Sequence, residues 1–260
     1  RQAAGHTGEV QVIAANVDHA FLVQAVDRDF NINRLERYLT LSHAGKVNPI
    51  IVLTKTDLIE KEGLVEITNS LQKRIKTVPI IAISNKTQSG YSELKALIEK
   101  GKTYCMLGSS GVGKSTLLNN LSGNAAMRTE TLSQQTNKGR HTTTHRELIV
   151  LEGGGILIDN PGMREVGIAD TGGGLETTFD AIIRFSEHCR FRDCTHTTET
   201  GCAVLNAVEE GELDRNTYLN YLKMEREKAH FESTLAKKRK KEKEFGKILK
   251  NFKKDMKRNR

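Results

Sequence analysis

The stretch Gly108-Ser-Ser-Gly-Val-Gly-Lys-Ser115 decides the fold, because it fits the pattern GxxxxGK[ST] at every fixed position. The apolar run Thr103–Leu107 precedes it and the helical pattern Ser115–Leu121 follows it, which is the strand-loop-helix context that the pattern requires. A glycine-rich turn without a ligand is the alternative, and this context opposes it. Glycines let backbone N–H groups turn inward around a phosphate, and the helix N-terminus adds a positive dipole end. The predicted phosphate-binding residues are Gly108, Ser109, Ser110, Gly111, Val112, Gly113, Lys114, Ser115 and Thr116.

Short apolar runs alternate with helical patterns on both sides of this loop. Such alternation is typical of βαβ units, so we expect an α/β fold with a mostly parallel sheet and flanking helices. Ligands should then bind at the carboxyl ends of the strands. The predicted strands are Ala20–Val26, Pro49–Thr54, Val78–Ser84, Thr103–Gly108, Glu147–Glu152 and Gly155–Asp159.

The pattern changes after the glycines at positions 172–174. Beyond them the apolar spacing is helical around a group of Cys and His residues, which predicts a small helical subdomain. The chain carries a net charge of +8, and Lys237–Arg260 alone holds 13 Lys/Arg against 3 Asp/Glu. A cationic tail of this kind suits a polyphosphate partner such as RNA, although a solvated charged helix is the simpler alternative.

Composition excludes a membrane protein, because apolar runs such as Pro49–Leu53 are far too short to span a bilayer. The chain starts at Arg1 without a methionine or an apolar signal segment, so we expect part of the natural protein to precede it and the protein to be cytoplasmic. Nothing in the sequence requires a dimer, and a monomer is the simplest expectation.

A predicted base-reading site lies upstream of the phosphate loop. Thr54-Lys-Thr-Asp57 follows the run Pro49–Leu53 and resembles the NKxD motif, whose aspartate accepts two hydrogen bonds from guanine. Adenine has no such pair of donors. Lys55 would lie along the base, Thr56 belongs to the same loop, and Thr54 stands where asparagine is usual. Ser84-Asn85 ends the next strand and would form the second base loop. Alone, the tetrad could simply cap a helix.

Two segments downstream of the phosphate loop have the order expected of nucleotide-sensing switches. Asp159-Asn-Pro-Gly162 closes a predicted strand and resembles the DxxG loop, in which Asp159 would hold Mg²⁺ through water and Gly162 would sense the γ-phosphate. An ordinary turn is the alternative. With Ser115 and Thr143, Asp159 completes the predicted Mg²⁺ site.

The predicted catalytic residues are Lys114, His141 and Thr143. Met163 stands where Ras-like proteins have a water-orienting glutamine, and a thioether cannot polarise water. Gly139-Arg-His-Thr-Thr-Thr144 offers the missing groups: Thr143 for Mg²⁺ and the γ-phosphate, and His141 to position the attacking water. A plain surface histidine remains the alternative for His141.

Three cysteines and a histidine form a compact ligand pattern. Cys189, Cys194, His196 and Cys202 are the donor set of a closed structural Zn²⁺ site, with no position left open for catalysis. Reduced structural cysteines are the alternative reading.

The order of these motifs resembles the circularly permuted GTPases that depend on the small ribosomal subunit, and the resemblance covers nearly the whole chain, from Val12–Asp18 to the Cys/His cluster. It implies GTP hydrolysis coupled to late maturation of the small subunit, rRNA binding and nucleotide-dependent release. It also implies four segments: a remnant of an N-terminal OB-fold and linker (1–16), a permuted GTPase domain (17–172), a helical zinc-binding subdomain (173–232) and a basic tail (233–260).

Two other functions stay open at this point. One is a non-catalytic, nucleotide-dependent RNA-binding assembly factor, consistent with Met163 and the basic tail. The other is an ATP-dependent P-loop protein, which the two base loops oppose.

Overall fold

A single six-stranded sheet organises the fold. The computed structural model of the chain describes residues 12–123, 147–159 and 172–233. Within these residues the strands are β1 His19–Ala25, β2 Asn48–Thr54, β3 Ile80–Ala82, β4 Thr103–Leu107, β5 Glu147–Val150 and β6 Ile156–Asp159. Their order across the sheet is β3-β2-β1-β4-β6-β5. All neighbouring pairs are parallel except β5 with β6, so the predicted mostly parallel sheet is confirmed.

Helices follow most of the strands, as the apolar spacing predicts. Asn31 begins the first one by accepting a hydrogen bond of 3.2 Å from the N–H of Arg34, which satisfies a donor that the helix itself leaves unpaired. A 3-10 turn, Thr56–Leu58, lies between β2 and the second helix. The helices are α1 Ile32–Ala44, α2 Lys61–Arg74, α3 Tyr91–Ala96, α4 Lys114–Ser122, α5 Gly174–Thr178, α6 Asp180–Ser186, α7 Ala203–Glu209 and α8, residues 215–233.

Both faces of the sheet are covered, which is why its central strands are apolar throughout. Alternate residues of β1 point to opposite faces: Phe21 packs with α3 and α4, whereas Leu22 packs with α1 and α2. Both side chains are fully buried. Each such side chain contributes about 1.5–3 kcal/mol to stability.

The helices α5 to α8 share a separate apolar core. Its buried members include Leu175, Phe179, Val204, Tyr221 and Met224. Leu219 on α8 is 50% exposed and lies outside this core.

Helix α5 packs closely on α1. Gly174 permits this approach, because a Cβ there would collide with the carbonyl oxygen of Thr40 and the backbone of Ala44. Gly172 and Gly173 precede it with φ of 44° and 85°, a conformation that glycine adopts without strain. Gly172 and Gly173 therefore allow the chain to turn, and Gly174 allows α5 to pack closely against α1.

A buried ionic network also joins α8 to the sheet domain. The carboxylate of Glu36 accepts two hydrogen bonds from Arg74, at 3.0 and 2.7 Å, and another from Asn220 on α8. Burial raises the pKa of Glu36, and the Arg74 guanidinium opposes this rise. Nearby, Arg37 makes a two-pronged contact with Glu227 at 2.9 and 2.8 Å. The Glu36–Arg74 pair is the buried one, and removing either partner would leave the charge of the other uncompensated in the interior.

Candidate nucleotide site and metal centre

The phosphate loop connects β4 to α4, as the sequence predicts. Gly111 and Gly113 have φ of 81° and 94°, which side chains rarely adopt. A Cβ on Gly113 would also lie 2.5 Å from the side-chain nitrogen of Asn85. Both glycines are therefore required by the path of the loop.

Lys114 bends back over this loop. Its Nζ donates hydrogen bonds to the carbonyl oxygens of Gly108, at 3.0 Å, and Ser109, at 2.8 Å. Only 8% of the residue is exposed. The ammonium charge is therefore held within the loop rather than in solvent, while Ser115 and Thr116 follow it in the first turn of α4.

The aspartate predicted to read the base is fixed by the second base loop. The hydroxyl of Ser84 donates a hydrogen bond of 2.6 Å to Oδ1 of Asp57. The same hydroxyl accepts hydrogen bonds from the N–H groups of Lys86, at 3.2 Å, and Thr87, at 3.0 Å. With both neighbouring donors directed at its oxygen, the Ser84 proton is oriented towards Asp57. The carboxylate is thus positioned before any ligand arrives.

Two hydrogen bonds join the base loops to the phosphate loop. The hydroxyl of Thr54 donates to the carbonyl oxygen of Val112 at 2.6 Å, and the amide of Asn85 donates to that of Gly113 at 3.0 Å. Thr54 therefore makes a bridge with its hydroxyl although it lacks the amide of the usual asparagine. Because β1, β2 and β4 are parallel, their carboxyl ends meet at one edge of the sheet whatever their order in the chain.

Asn85 is itself held by two residues that the sequence did not indicate. Tyr91 donates to its Oδ1 at 2.7 Å, and Asn120 donates to its carbonyl oxygen at 3.1 Å and to the Tyr91 hydroxyl at 3.0 Å. These residues lie on α3 and α4, so both helices that cover this face of the sheet position the second base loop.

Asp27 is a further residue that the sequence analysis missed. Its Oδ2 lies 2.9 Å from Nζ of Lys55, and its Oδ1 accepts a hydrogen bond of 3.0 Å from the N–H of Asp29. Burial favours the neutral acid, but the Lys55 ammonium and the Asp29 N–H outweigh it, so the pKa of Asp27 is lowered. Its position directly after an apolar strand was the available signal, since ligand-handling residues follow strand ends.

The predicted switch residues lie mostly outside the described residues. This holds for His141, Thr143, Gly162 and Met163. Asp159 is the last residue of β6, and its backbone pairs with Glu147 of β5. Because β6 runs parallel to β4, with Ile158 opposite Cys105, Asp159 ends its strand on the side of the sheet where the phosphate loop begins.

The four predicted metal ligands come together. The sulfur and ring nitrogen atoms of Cys189, Cys194, His196 and Cys202 all lie within 4.8 Å of one another. Nδ1 of His196 is 3.6 Å from Sγ of Cys189 and 3.4 Å from Sγ of Cys202, and these two sulfurs are 3.9 Å apart. Ligands around a tetrahedral Zn²⁺ are separated by about 3.6 to 3.8 Å. The donor set therefore fits that ion, with Nδ1 as the histidine ligand.

The local electrostatics favour the ligating form of His196 and Cys189 but not that of Cys194. Burial lowers the pKa of His196, which keeps its ring neutral as metal ligation requires. Burial and the neighbouring sulfurs raise the pKa of Cys194 to about 12, although the His196 N–H opposes them. Burial also disfavours the Cys189 thiolate, but the N–H groups of Val204 and Ala203 outweigh it and lower the pKa of Cys189.

Glu199 organises the loop that carries His196, and the sequence analysis did not identify it. Its carboxylate accepts hydrogen bonds from the N–H groups of Thr195, Thr197 and Thr198, at 2.7, 2.8 and 3.0 Å. The hydroxyl of Thr195, together with the N–H groups of Thr195 and Thr197, holds the pKa of Glu199 well below its usual range. The backbone of His196 has a φ of 58°, and its carbonyl oxygen accepts a hydrogen bond of 2.6 Å from Tyr218. The Glu199 carboxylate and the Tyr218 hydroxyl thus hold His196 in a left-handed backbone conformation, which is unfavourable for residues other than glycine.

A family model described as RsgA GTPase matches residues 1–169. A model of the ABC transporter family matches residues 91–259. That range contains the phosphate loop, which many P-loop proteins share, but it lacks both base loops.

No described helix has the length and apolar character needed to cross a membrane.

Curated relatives match across most of the chain. Small ribosomal subunit biogenesis GTPase RsgA 2 of Listeria monocytogenes is 46% identical over 222 residues, which are 85% of this chain and 64% of the relative. The protein of the same name from Vibrio parahaemolyticus is 42% identical over 255 residues, or 98% of this chain and 71% of the relative. The chain thus spans about two thirds of the length of these relatives.

Solved structures agree with the sequence relatives. YjeQ from Thermotoga maritima superposes with a TM-score of 0.61 at 31% identity, covering 85% of this chain and 72% of that one. YloQ, described as a circularly permuted GTPase, gives 0.60 at 33% identity, covering 80% of this chain and 67% of that one. The base loops upstream of the phosphate loop, the family model and these relatives lead to one conclusion: the chain belongs to the RsgA GTPase family.

Proposed function

We propose that the chain hydrolyses GTP to GDP and phosphate, and that this reaction is coupled to maturation of the small ribosomal subunit. One observation carries the choice of nucleotide: the Asp57 carboxylate is held by Ser84 at 2.6 Å, in a loop joined to the phosphate loop through Thr54 and Val112. A positioned carboxylate matches the two donors of guanine. The printed names of the relatives, which include small ribosomal subunit biogenesis, support the process.

The nucleotide would be held from both ends. The base contacts Asp57 and the stem of Lys55, while the phosphate loop and Lys114 bind the phosphates. Ser115, Thr143 and Asp159 would hold Mg²⁺, which would supply positive charge to the phosphates when bound. The complete set of proposed nucleotide contacts is Thr54, Lys55, Thr56, Asp57, Ser84, Asn85, Gly108, Ser109, Ser110, Gly111, Val112, Gly113, Lys114, Ser115, Thr116 and Gly162.

Catalysis needs a group that orients water, and we assign it to His141. Its imidazole would hold the attacking water in line with the γ-phosphorus. We choose His141 because the thioether of Met163 cannot orient water. The Lys114 ammonium stabilises the charge that develops on the transferred group. Replacing His141 by Ala should lower turnover while GTP affinity persists, whereas equal loss of both would remove this assignment.

The Cys/His cluster is proposed to bind one structural Zn²⁺. Three thiolates and an imidazole within 4.8 Å of one another would leave no open position on the ion, so it would stabilise the fold rather than react. Four helices built around one small core gain much of their folding free energy from such an ion.

The proposed partner is the small ribosomal subunit and its RNA. The basic stretch Lys237–Arg260 supplies the charge for RNA contact, although it lies outside the described residues. The segment that contains the DxxG loop leads directly into the helices around the metal cluster. We therefore expect loss of the γ-phosphate to change the affinity for the subunit. The chain would act as a monomer in the cytoplasm.

Turnover of GTP and ATP, with and without purified small subunits, tests this function. We expect GTP hydrolysis that rises when subunits are added, and none with Lys114→Ala. Binding of subunits without any turnover would instead support a non-catalytic assembly factor. Preference for ATP would contradict the guanine site.

A further inference from the structure

The loop between the first two metal-cluster cysteines carries an exposed aromatic ring between two arginines. Arg190, Phe191 and Arg192 all lie between Cys189 and Cys194 and are exposed. Phe191 keeps 46% of its surface accessible. A single exposed phenylalanine is ordinary on a protein surface, and what distinguishes Phe191 is its surroundings.

The backbone of this loop is fixed at several points. The N–H of Arg190 donates to the carbonyl oxygen of Gly201 at 3.1 Å, and the N–H of Cys194 donates to that of Phe191 at 3.3 Å. The stem of Arg190 packs on Gly201, where an added Cβ would lie 3.1 Å from the Arg190 Cβ. A ring presented by an ordered loop loses little conformational entropy when it contacts a partner.

The charges beside the ring are available to an external anion. The guanidinium of Arg190 lies 5.4 Å from the centroid of the Phe191 ring, within cation-π distance. Among the described residues, neither Arg190 nor Arg192 has a carboxylate within 4.0 Å, whereas Arg184 on the preceding helix pairs with Asp180 at 3.2 Å. The loop thus combines one apolar ring face with two arginines that form no ion pair within the described residues, beside the single exposed carboxylate of Asp193.

We infer that Phe191 is a stacking platform for an unpaired base of single-stranded RNA, with Arg190 and Arg192 contacting the adjacent phosphates. Proteins that bind unpaired RNA stack bases on aromatic rings and track the backbone with cations, and this loop offers both within three residues. A protein partner would be served by the ring but not by two adjacent cations. The inference rests on the proposed function, because the small ribosomal subunit supplies the RNA.

A tryptophan probe tests stacking directly. The chain has no tryptophan, so Phe191→Trp places a single fluorophore in the loop. Titration with a mixed-sequence single-stranded ribo-oligonucleotide should quench its emission strongly. Val65→Trp, at a residue of α2 that is 56% exposed, is the matched control and should be quenched little. Equal quenching of both, none of either, or quenching of Phe191→Trp by extracted small-subunit proteins but not by RNA would overturn the inference.

Affinity for the same oligonucleotide and for purified small subunits gives a second readout. Phe191→Ala should weaken oligonucleotide binding about 5- to 150-fold, and Phe191→Tyr should stay within about twofold of the unchanged chain. Binding of GDP and the zinc content should not change in either variant, which shows that the fold is retained. If the unchanged chain itself does not bind small subunits, the proposed function fails. If it binds, and Phe191→Ala binds oligonucleotide and subunits equally well, only the stacking platform is refuted.

Discussion

The hydroxyl of Thr54 donates a hydrogen bond of 2.6 Å to the carbonyl oxygen of Val112, across 58 residues of chain. This contact joins the loop that we predict reads the base to the loop that we predict binds the phosphates. The two loops lie far apart in the chain, so such contacts would hold the two parts of the proposed nucleotide site in register.

Replacing Thr54 by Val should therefore weaken nucleotide binding. The carbonyl of Val112 would be left buried without its donor, which costs about 1–3 kcal/mol, or about 5- to 150-fold in affinity for GDP. Thr54→Ser retains the hydroxyl and is the matched control. Binding of a fluorescent GDP analogue measures both, and unchanged affinity of Thr54→Val would show that the bridge does not support the site.

The Asp27–Lys55 ion pair should position the lysine over the base. We expect Asp27→Asn to raise KM for GTP about two- to fivefold with little change in kcat, the size of a partly exposed ion pair. Asp18→Asn removes a comparable pair with Lys102 at the other edge of the sheet and should leave KM unchanged. A fall in kcat equal to the rise in KM would point to a wider distortion.

The same pair predicts a flat pH dependence. Because the pKa of Asp27 is lowered in the folded chain, the pair is complete above the ordinary carboxylate range and is lost only as the pH falls through the lowered pKa. Affinity for GDP should therefore not change between pH 6 and 8 on this account.

Metal removal should expose three of the four cysteines. With Zn²⁺ bound, the cluster thiolates are ligated, and a chelator should release them to a thiol reagent. Cys105 should stay unreactive at pH 8 until the chain unfolds, because only 5% of the residue is exposed to solvent. Thiol titration with and without chelator checks this, and rapid reaction of three thiols before chelation would contradict a metal site.

Glu199 should support the metal without binding it. Its carboxylate organises the turn around His196, and loss of such outer-shell groups typically lowers metal affinity about 10- to 100-fold. We expect Glu199→Gln to lower the affinity for zinc by this amount. Competition with a zinc chelator measures that affinity. Glu187→Gln, at an exposed position in the same segment, is the control. Equal zinc affinity in the two variants would limit Glu199 to a role in the loop alone.

Local patterns in the sequence were enough to predict the sheet and the main loops. Apolar runs identified all six described strands, and glycine spacing identified the phosphate loop, because both depend on residues close in the chain. The Cys/His cluster was predictable for the same reason. The roles of His141, Thr143 and Gly162 stay predictions, since these residues lie outside the described part of the chain.

Contacts between distant residues could not be predicted in this way. Asp27 pairs with Lys55, Asn120 supports Asn85, and Glu36 on α1 meets Asn220 on α8 only because the fold brings them together. Asp27, Asn120, Glu36 and Asn220 belong to no short motif. Glu199 is a different case, because its partners are near in sequence. An acidic residue beside a cysteine cluster is too common a pattern to indicate a role.

The nucleotide specificity of the Asp57→Asn variant tests the central claim most directly. That claim is that the two base loops and the phosphate loop, which follows them in the chain, form one guanine-nucleotide site. An amide in place of the carboxylate loses two charge-assisted hydrogen bonds to guanine, so GTP affinity should fall about 100-fold or more. Affinity for xanthosine triphosphate should rise instead, because its oxygen at position 2 can accept from the new amide. Retained preference for GTP in Asp57→Asn would contradict the account.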